Sequence, residues 1–231
     1  LMIQRRTVGI VGTGNVGTAA AYALFNQGLA SEILLLDQDD RRAEGEAMDL
    51  MHGQLLVGRV TCRAVDYPAL GDAQVIVLAA GASQTSSDDS RLDLLERNAR
   101  IFREIIAELD EHAPEAILVV ATNPVDVLTY LSQEMSRRPN QRIIGTGTLL
   151  DTARFRALLG QHYGVDPRSV HAYILGEHGD TEVPIWSNAT IGGQDIRGRT
   201  VLGQAWDAEE MQALFEEARN AAYEIIDRKG Y

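Results

Sequence analysis

The run Thr7-Val8-Gly9-Ile10-Val11 leads into Gly12-Thr13-Gly14-Asn15-Val16-Gly17, and an alanine-rich stretch (Ala19, Ala20, Ala21, Ala23, Leu24) follows at once. The β-branched run reads as a buried strand and the alanines as a helix, with G-x-G-x-x-G as the turn between them. Gly12 permits the tight turn, Gly14 lets the backbone approach a pyrophosphate, and Gly17 lets the helix pack close to the strand. The phosphates would then meet N–H groups at the helix N-terminus, around Asn15 and Val16. A second apolar run, Glu32-Ile33-Leu34-Leu35-Leu36, ends in Asp37, twenty residues past Gly17. That is where an acid bonds a ribose hydroxyl and repels a 2′-phosphate, so the cofactor expected is NAD rather than NADP.

Strands and helices continue to alternate. Residues 39–51 read as a helix with Ala43, Ala47, Leu50 and Met51 on one face, and 58–65 as a strand. Ala73 to Ala80 is a short apolar run suited to a buried parallel strand. The polar stretch Gly81 to Asp89 has the composition of a loop, and Ser90-x-x-Asp93 fits a capping box for the next helix. That helix carries an apolar stripe of Leu94, Leu95, Ile101, Phe102, Ile105, Ile106 and Leu109 and ends before Pro114. A strand from Ala116 to Ala121 runs into Thr122-Asn123-Pro124 and a further helix. This is an α/β pattern, so residues 1–145 should form a Rossmann-type doubly wound parallel sheet. Ligands in such sheets sit at the carboxyl ends of strands, and Gly12, Gly81 and Asn123 all follow strand ends.

The character changes after Gly145, and residues 146–231 read as an α+β domain. A helix from Leu149 to Gln161 precedes a strand, Ser169 to Leu175, that breaks into Gly176-Glu177-His178-Gly179-Asp180. Short strands with glycine turns follow, around Ala189 to Ile196. A last helix begins near Asp207, with Met211, Leu214, Phe215, Ala218, Ala222, Ile225 and Ile226 on one face and Gly230 as its stop.

Bulk properties narrow the function. The formal charge of −12 argues against nucleic acid and anionic membranes as partners. Cys62 is the only cysteine, which excludes an internal disulfide and a thiolate zinc site; in a strand pattern it reads as a small core residue, and no metal is expected. No apolar run approaches the ~20 residues of a membrane helix, and the N-terminus lacks a signal peptide's pattern, so the expected location is the cytoplasm.

Several residues are candidates for chemistry. A lone histidine is more often structural, but the glycines around His178 put it on a tight turn where packing is a poor explanation. Glu177, Asp180 or Asp151 could orient it, fixing the tautomer and favouring imidazolium, so that the other ring nitrogen exchanges a proton. Asp151 and Arg154 share a helix face, a spacing that taken alone fits an ordinary surface i,i+3 pair better than a functional one. Arg91 opens a helix, where a positive charge works against the helix dipole unless it has another purpose. His52, His112 and His162 suggest nothing.

The motifs GTGNVG, GASQ…SRLDLLERN, ATNPVDVLTY, GTGTLLDTARFR and ILGEHGDTEVPIWS resemble those of the bacterial L-lactate dehydrogenases, within the lactate/malate dehydrogenase superfamily, over essentially the whole chain. The resemblance implies hydride transfer between NADH and pyruvate, with His178 as proton donor and acceptor and Asp151 as its orienting carboxylate. It implies that Arg154 grips the substrate carboxylate, Arg91 polarises the reacting carbonyl from a closing loop, and Asn123 bonds substrate and nicotinamide surroundings. The cofactor-binding set becomes Gly12, Gly14, Asn15, Val16, Gly17, Asp37, Gly81, Ala82, Thr122 and Asn123. Gln84 occupies the selector position, where malate dehydrogenases carry an arginine; with Asp88 and Asp89 nearby it favours pyruvate/L-lactate over a dianionic acid. The segment from Gln84 to Arg91 is one residue longer than the family's usual spacing and lacks its Pro-Gly-Glu, which leaves open whether Gln84 or Thr85 faces the substrate. Arg156 and His171 match an arginine and histidine that bind fructose 1,6-bisphosphate between subunits, implying an allosteric homotetramer.

Family members continue past the point where this chain ends, so the resemblance also implies a substrate domain incomplete at Tyr231. Two alternatives stand beside the leading reading: a dehydrogenase of a related 2-hydroxy acid, malate-like or larger, and an NAD-binding fragment without turnover.

Overall fold

The computed structural model describes residues 6–82 and 91–230. Gln84, Thr85, Asp88, Asp89 and the capping residue Ser90 lie outside the described residues. The chain divides into two units, Leu1–Gly145 and Thr146–Tyr231.

In the first unit, β1 (Thr7–Val11), β2 (Glu32–Leu36), β3 (Thr61–Ala64), β4 (Val75–Leu78), β5 (Ile117–Val120) and β6 (Ile143–Gly145) form one parallel sheet. Its order is β3-β2-β1-β4-β5-β6, the doubly wound arrangement in which strand order reverses beside β1. The helices are α1 (Asn15–Gln27), α2 (Asp40–His52), α3 (Arg91–His112) and α4 (Val125–Met135). β1 and β2 are apolar almost throughout because a parallel sheet covered on both faces buries both sets of side chains. One core joins Phe102, Ile106 and Leu109 of α3 to Ile76, Leu118 and Ile143, and a second packs Ala21 and Phe25 of α1 and Leu50 of α2 against Ile10 and Ile33. Cys62 is buried in β3, and burial pushes its thiol up to about 12, which makes it an inert core residue.

The second unit holds α5 (Leu149–Tyr163), the short strands β7 (Val170–His171), β8 (Ile174–Leu175), β9 (Val183–Pro184), β10 (Thr190–Ile191), β11 (Gln194–Asp195), β12 (Thr200–Val201) and β13 (Gln204–Ala205), and α6 (Ala208–Lys229). Phe155 anchors its core, edge-on to Trp186 at 5.0 Å and to Phe215 of α6 at 6.3 Å.

Two segments differ from the sequence expectation. Ser169 to Leu175 is not one strand: β7 pairs with β10, and β8 with β9, so the chain changes sheets at Ala172 and Tyr173. The apolar face expected along all of α6 is buried only at Met211, Phe215 and Ala218, whereas Ile225 and Ile226 are exposed.

Candidate active site

The crevice of the first unit is built where β1, β4 and β5 end. Gly12 has φ +97°, and a Cβ there would come within 2.4 Å of the Ala80 nitrogen. A Cβ on Gly17 would meet the Gly12 carbonyl oxygen at 1.8 Å, so only glycine lets α1 start so close to β1. Above Gly14 the space is open: an added Cβ meets nothing within 4 Å among the described residues. Asn15, Val16 and Gly17 form the first turn of α1, where backbone N–H groups precede the intrahelical ladder. The carboxyl end of β2 delivers Asp37, which accepts from the Thr13 amide at 2.6 Å and hydroxyl at 2.9 Å and from the Asp39 amide at 3.1 Å. Burial opposes its charge, but these donors and the Arg42 guanidinium outweigh it and hold the carboxyl below its usual range.

Asn98 of α3, almost wholly buried, ties the other strand ends together. Its Oδ1 accepts from the Ala82 amide at 2.7 Å and its Nδ2 donates to the Asn123 carbonyl at 3.1 Å. The Thr122 hydroxyl donates to Ala80 O at 2.8 Å, and the Asn123-Pro124 peptide is cis. A cavity of about 400 Å³ lies along this edge, lined by Gly12, Gly14, Asp37, Arg42, Ala80 and Gly81, with Tyr67, Ile101 and Ile105 as an apolar wall. An open glycine turn at a helix N-terminus, an ionised acid on the next strand and an apolar slot fit a dinucleotide.

In the second unit α5 is pinned to β8. The Thr148 and Thr152 hydroxyls donate to the Ile174 carbonyl at 2.7 and 3.3 Å, and the Ile174 amide donates to Thr152 Oγ1 at 3.0 Å. This clamp fixes Asp151, in the first turn of α5, against the turn that leaves β8. Positive φ at Gly176 and Gly179 shapes that turn around His178. The result is a hydrogen bond from His178 Nδ1 to Asp151 Oδ2 at 2.5 Å, while Arg154 Nη1 donates to Asp151 Oδ1 at 3.2 Å. The bond to Asp151 raises the His178 pKa above its ordinary value; burial works against it, as does Arg154, while the charges of Asp151 and Glu182 add to it. Burial disfavours the Asp151 carboxylate, yet His178, Arg154 and Glu182 together lower its pKa.

Glu177 and Asp180 have other engagements: Thr181 Oγ1 donates to Glu177 at 2.9 Å and the Tyr223 hydroxyl to Asp180 at 3.3 Å. Arg91 is the first residue of α3. Arg156 donates to the Pro167 carbonyl at 3.4 Å, and His171 is exposed on β7 opposite Thr190. Sequence reasoning missed three residues. Asn98 lies inside the quoted SRLDLLERN and Glu182 inside GEHGDTEVP, but neither shows a periodic or spacing signal. Arg219 of α6, over the Phe215 ring at 5.4 Å and acting electrostatically on Glu182, is one of many charges on that helix.

Comparison with known proteins bears on both units. Residues 6–145 match the lactate/malate dehydrogenase NAD binding domain, and residues 148–231 match the alpha/beta C-terminal domain of the same family. The chain is 81% identical over 230 residues to an L-lactate dehydrogenase of Salinibacter ruber, covering all of this chain and 73% of that protein. It is 47% identical over 227 residues to the L-lactate dehydrogenase of Priestia megaterium, covering 98% of this chain and 71% of that one. The crystal structure of a minor L-lactate dehydrogenase from Enterococcus mundtii in a ligands-bound form matches with a TM-score of 0.93 at 46% identity, over 98% of this chain and 72% of that chain.

Proposed function

The chain belongs to the lactate/malate dehydrogenase family, and from that premise we propose that it is an NAD-dependent L-lactate dehydrogenase in which His178 exchanges the proton. The observation that carries this reading is the His178–Asp151 pair beside Arg154. Bound NADH would supply the hydride for C2 of pyruvate, and bound NAD⁺ would accept it in the reverse direction. The carbonyl oxygen then needs a proton, and His178 gives it from Nε2 while Asp151 holds Nδ1 and stabilises the imidazolium. Arg154 spends one nitrogen on Asp151 and presents its remaining donors to the substrate carboxylate, a task suited to a planar guanidinium. Arg91 polarises the carbonyl as negative charge develops on its oxygen, and Asn123 bonds the substrate beside the nicotinamide. In the first unit Gly12, Gly14, Asn15, Val16 and Gly17 would hold the pyrophosphate, Asp37 the ribose, and Gly81, Ala82 and Thr122 the remainder of the dinucleotide.

Gln84 selects pyruvate by leaving room for a methyl group. Arg156 and His171 bind fructose 1,6-bisphosphate at a contact between copies of the chain, and the enzyme works as a homotetramer in the cytoplasm. Leu55 and Leu56, 95% and 87% exposed, are apolar surface of the kind that association covers. NADH oxidation with pyruvate, oxaloacetate and 2-oxobutyrate, each with and without the sugar bisphosphate, tests the reading. Pyruvate should be the preferred acid; preference for another acid would make the chain a related 2-hydroxy acid dehydrogenase.

A further inference from the structure

Glu182, just before β9, is buried beside the His178–Asp151 pair. Its carboxylate, the Asp151 carboxylate and the His178 ring each offer an atom lying within 4.8 Å of the others. Oε1 of Glu182 is buried and has no hydrogen-bond partner among the described residues. Two buried carboxyl groups this close cannot both ionise without like-charge repulsion added to desolvation, so on the acid side of neutrality the pair keeps one proton. Asp151 is the member kept charged, with His178 on Oδ2, Arg154 on Oδ1 and a position in the first turn of α5. The proton therefore resides on Glu182. The charged groups acting on Glu182 come from three places: Asp151 on α5, His178 on its own turn and Arg219 on α6.

We propose that Glu182 is a positioning residue of the proton-transfer site, donating a hydrogen bond to Asp151 as a neutral acid and, on ionising, strengthening the hold of His178 on its proton. This deepens the function proposed above and rests on it for its catalytic meaning. Burial, with the Asp151 charge next, pushes the Glu182 carboxyl up to about 7, and the bond to Asp151 raises the adjoining His178 ring above its ordinary value. In the neutral form the Glu182 O–H draws charge from Asp151 and weakens its pull on the imidazolium. Once Glu182 ionises, a second negative charge lies near His178. The two groups then titrate as a pair, and the loss of the His178 proton is spread over a wider pH range than one site would give.

Glu182→Gln keeps a neutral donor to Asp151 at every pH but never ionises. The experiment follows the His178 ring by NMR through a pH titration in the unmodified chain and in E182Q, with His178→Asn assigning the signal. The pH profile of kcat/KM for pyruvate reduction is measured on the same two proteins. In the unmodified chain the ring should titrate more broadly than a single site; a simple one-site curve there overturns the proposal without reference to any variant. In E182Q the curve should sharpen and its midpoint fall by about one pH unit, with the kinetic profile moving alike. An unchanged midpoint overturns the coupling even if the protein turns pyruvate over. A shifted midpoint without turnover supports the coupling and counts against the dehydrogenase reading.

Discussion

Asp151 and His178, brought together from α5 and the turn after β8, share a hydrogen bond of 2.5 Å from Nδ1 to Oδ2. The two threonines that tie α5 to Ile174, Thr148 at the helix cap and Thr152 in its first turn, flank Asp151 in sequence. A carboxylate held this way fixes the tautomer of the ring and directs proton exchange to Nε2.

The pair predicts a pH dependence with a definite sign. The bond to Asp151 raises the His178 pKa above 6.5, so its imidazolium persists to higher pH than that of an ordinary histidine. Pyruvate reduction needs the proton and should fall as pH rises through that raised value; lactate oxidation needs the neutral ring and should rise over the same range. Asp151→Asn removes the charge that sustains the imidazolium. It should move the midpoint downward and cut turnover by about 10²-fold or more. Steady-state profiles in both directions check this, and a variant with an unmoved midpoint would disconnect Asp151 from His178.

Asp37 predicts the cofactor preference. It ends β2 ionised, with the Arg42 guanidinium acting on it and lining the same cavity. Asp37→Ala removes the group that repels a 2′-phosphate and leaves Arg42 to attract one. The ratio of kcat/KM for NADPH over NADH should rise about tenfold or more, a change of roughly 1.4 kcal/mol. No rise would mean that another residue discriminates the ribose.

Gln84 predicts the substrate preference. An arginine there would meet the second carboxylate of oxaloacetate, and a hydrogen bond to a charged group is worth about 1.5–3 kcal/mol. Gln84→Arg should therefore raise oxaloacetate over pyruvate turnover about tenfold or more. A constant ratio would hand the selector role to a neighbour such as Thr85.

Arg156 and His171 predict regulation. Fructose 1,6-bisphosphate should lower the half-saturating pyruvate concentration and shift the protein toward larger assemblies in analytical ultracentrifugation. Arg156→Ala with His171→Ala should abolish both effects while leaving turnover at saturating pyruvate intact. Identical responses in the unmodified and double-variant proteins would remove this site.

What the sequence made legible is whatever repeats locally. Apolar runs located β1, β2, β4 and β5, alternation located β3, and the glycine spacing located the first turn of α1, because one strand or turn carries its own signal. Pairing is not local. The run from Ser169 to Leu175 looks continuous, yet its halves pair with β10 and β9, and nothing inside it announces the change. Along α6 the apolar stripe showed which face is hydrophobic but not what covers it, and Ile225 and Ile226 are exposed. Asn98, Glu182 and Arg219 escaped notice for the same reason, since each acquires its meaning from a partner distant in sequence.

The most direct test of the central claim compares pyruvate-dependent NADH oxidation by the chain and by His178→Asn, with NADH affinity measured in parallel by fluorescence. Loss of a positioned general acid costs about 10²- to 10⁴-fold. The account predicts a fall of that size in kcat/KM with NADH affinity within about twofold, because the dinucleotide residues all belong to the first unit. Equal turnover by the two proteins would contradict it, and the proton would have to come from a group other than His178.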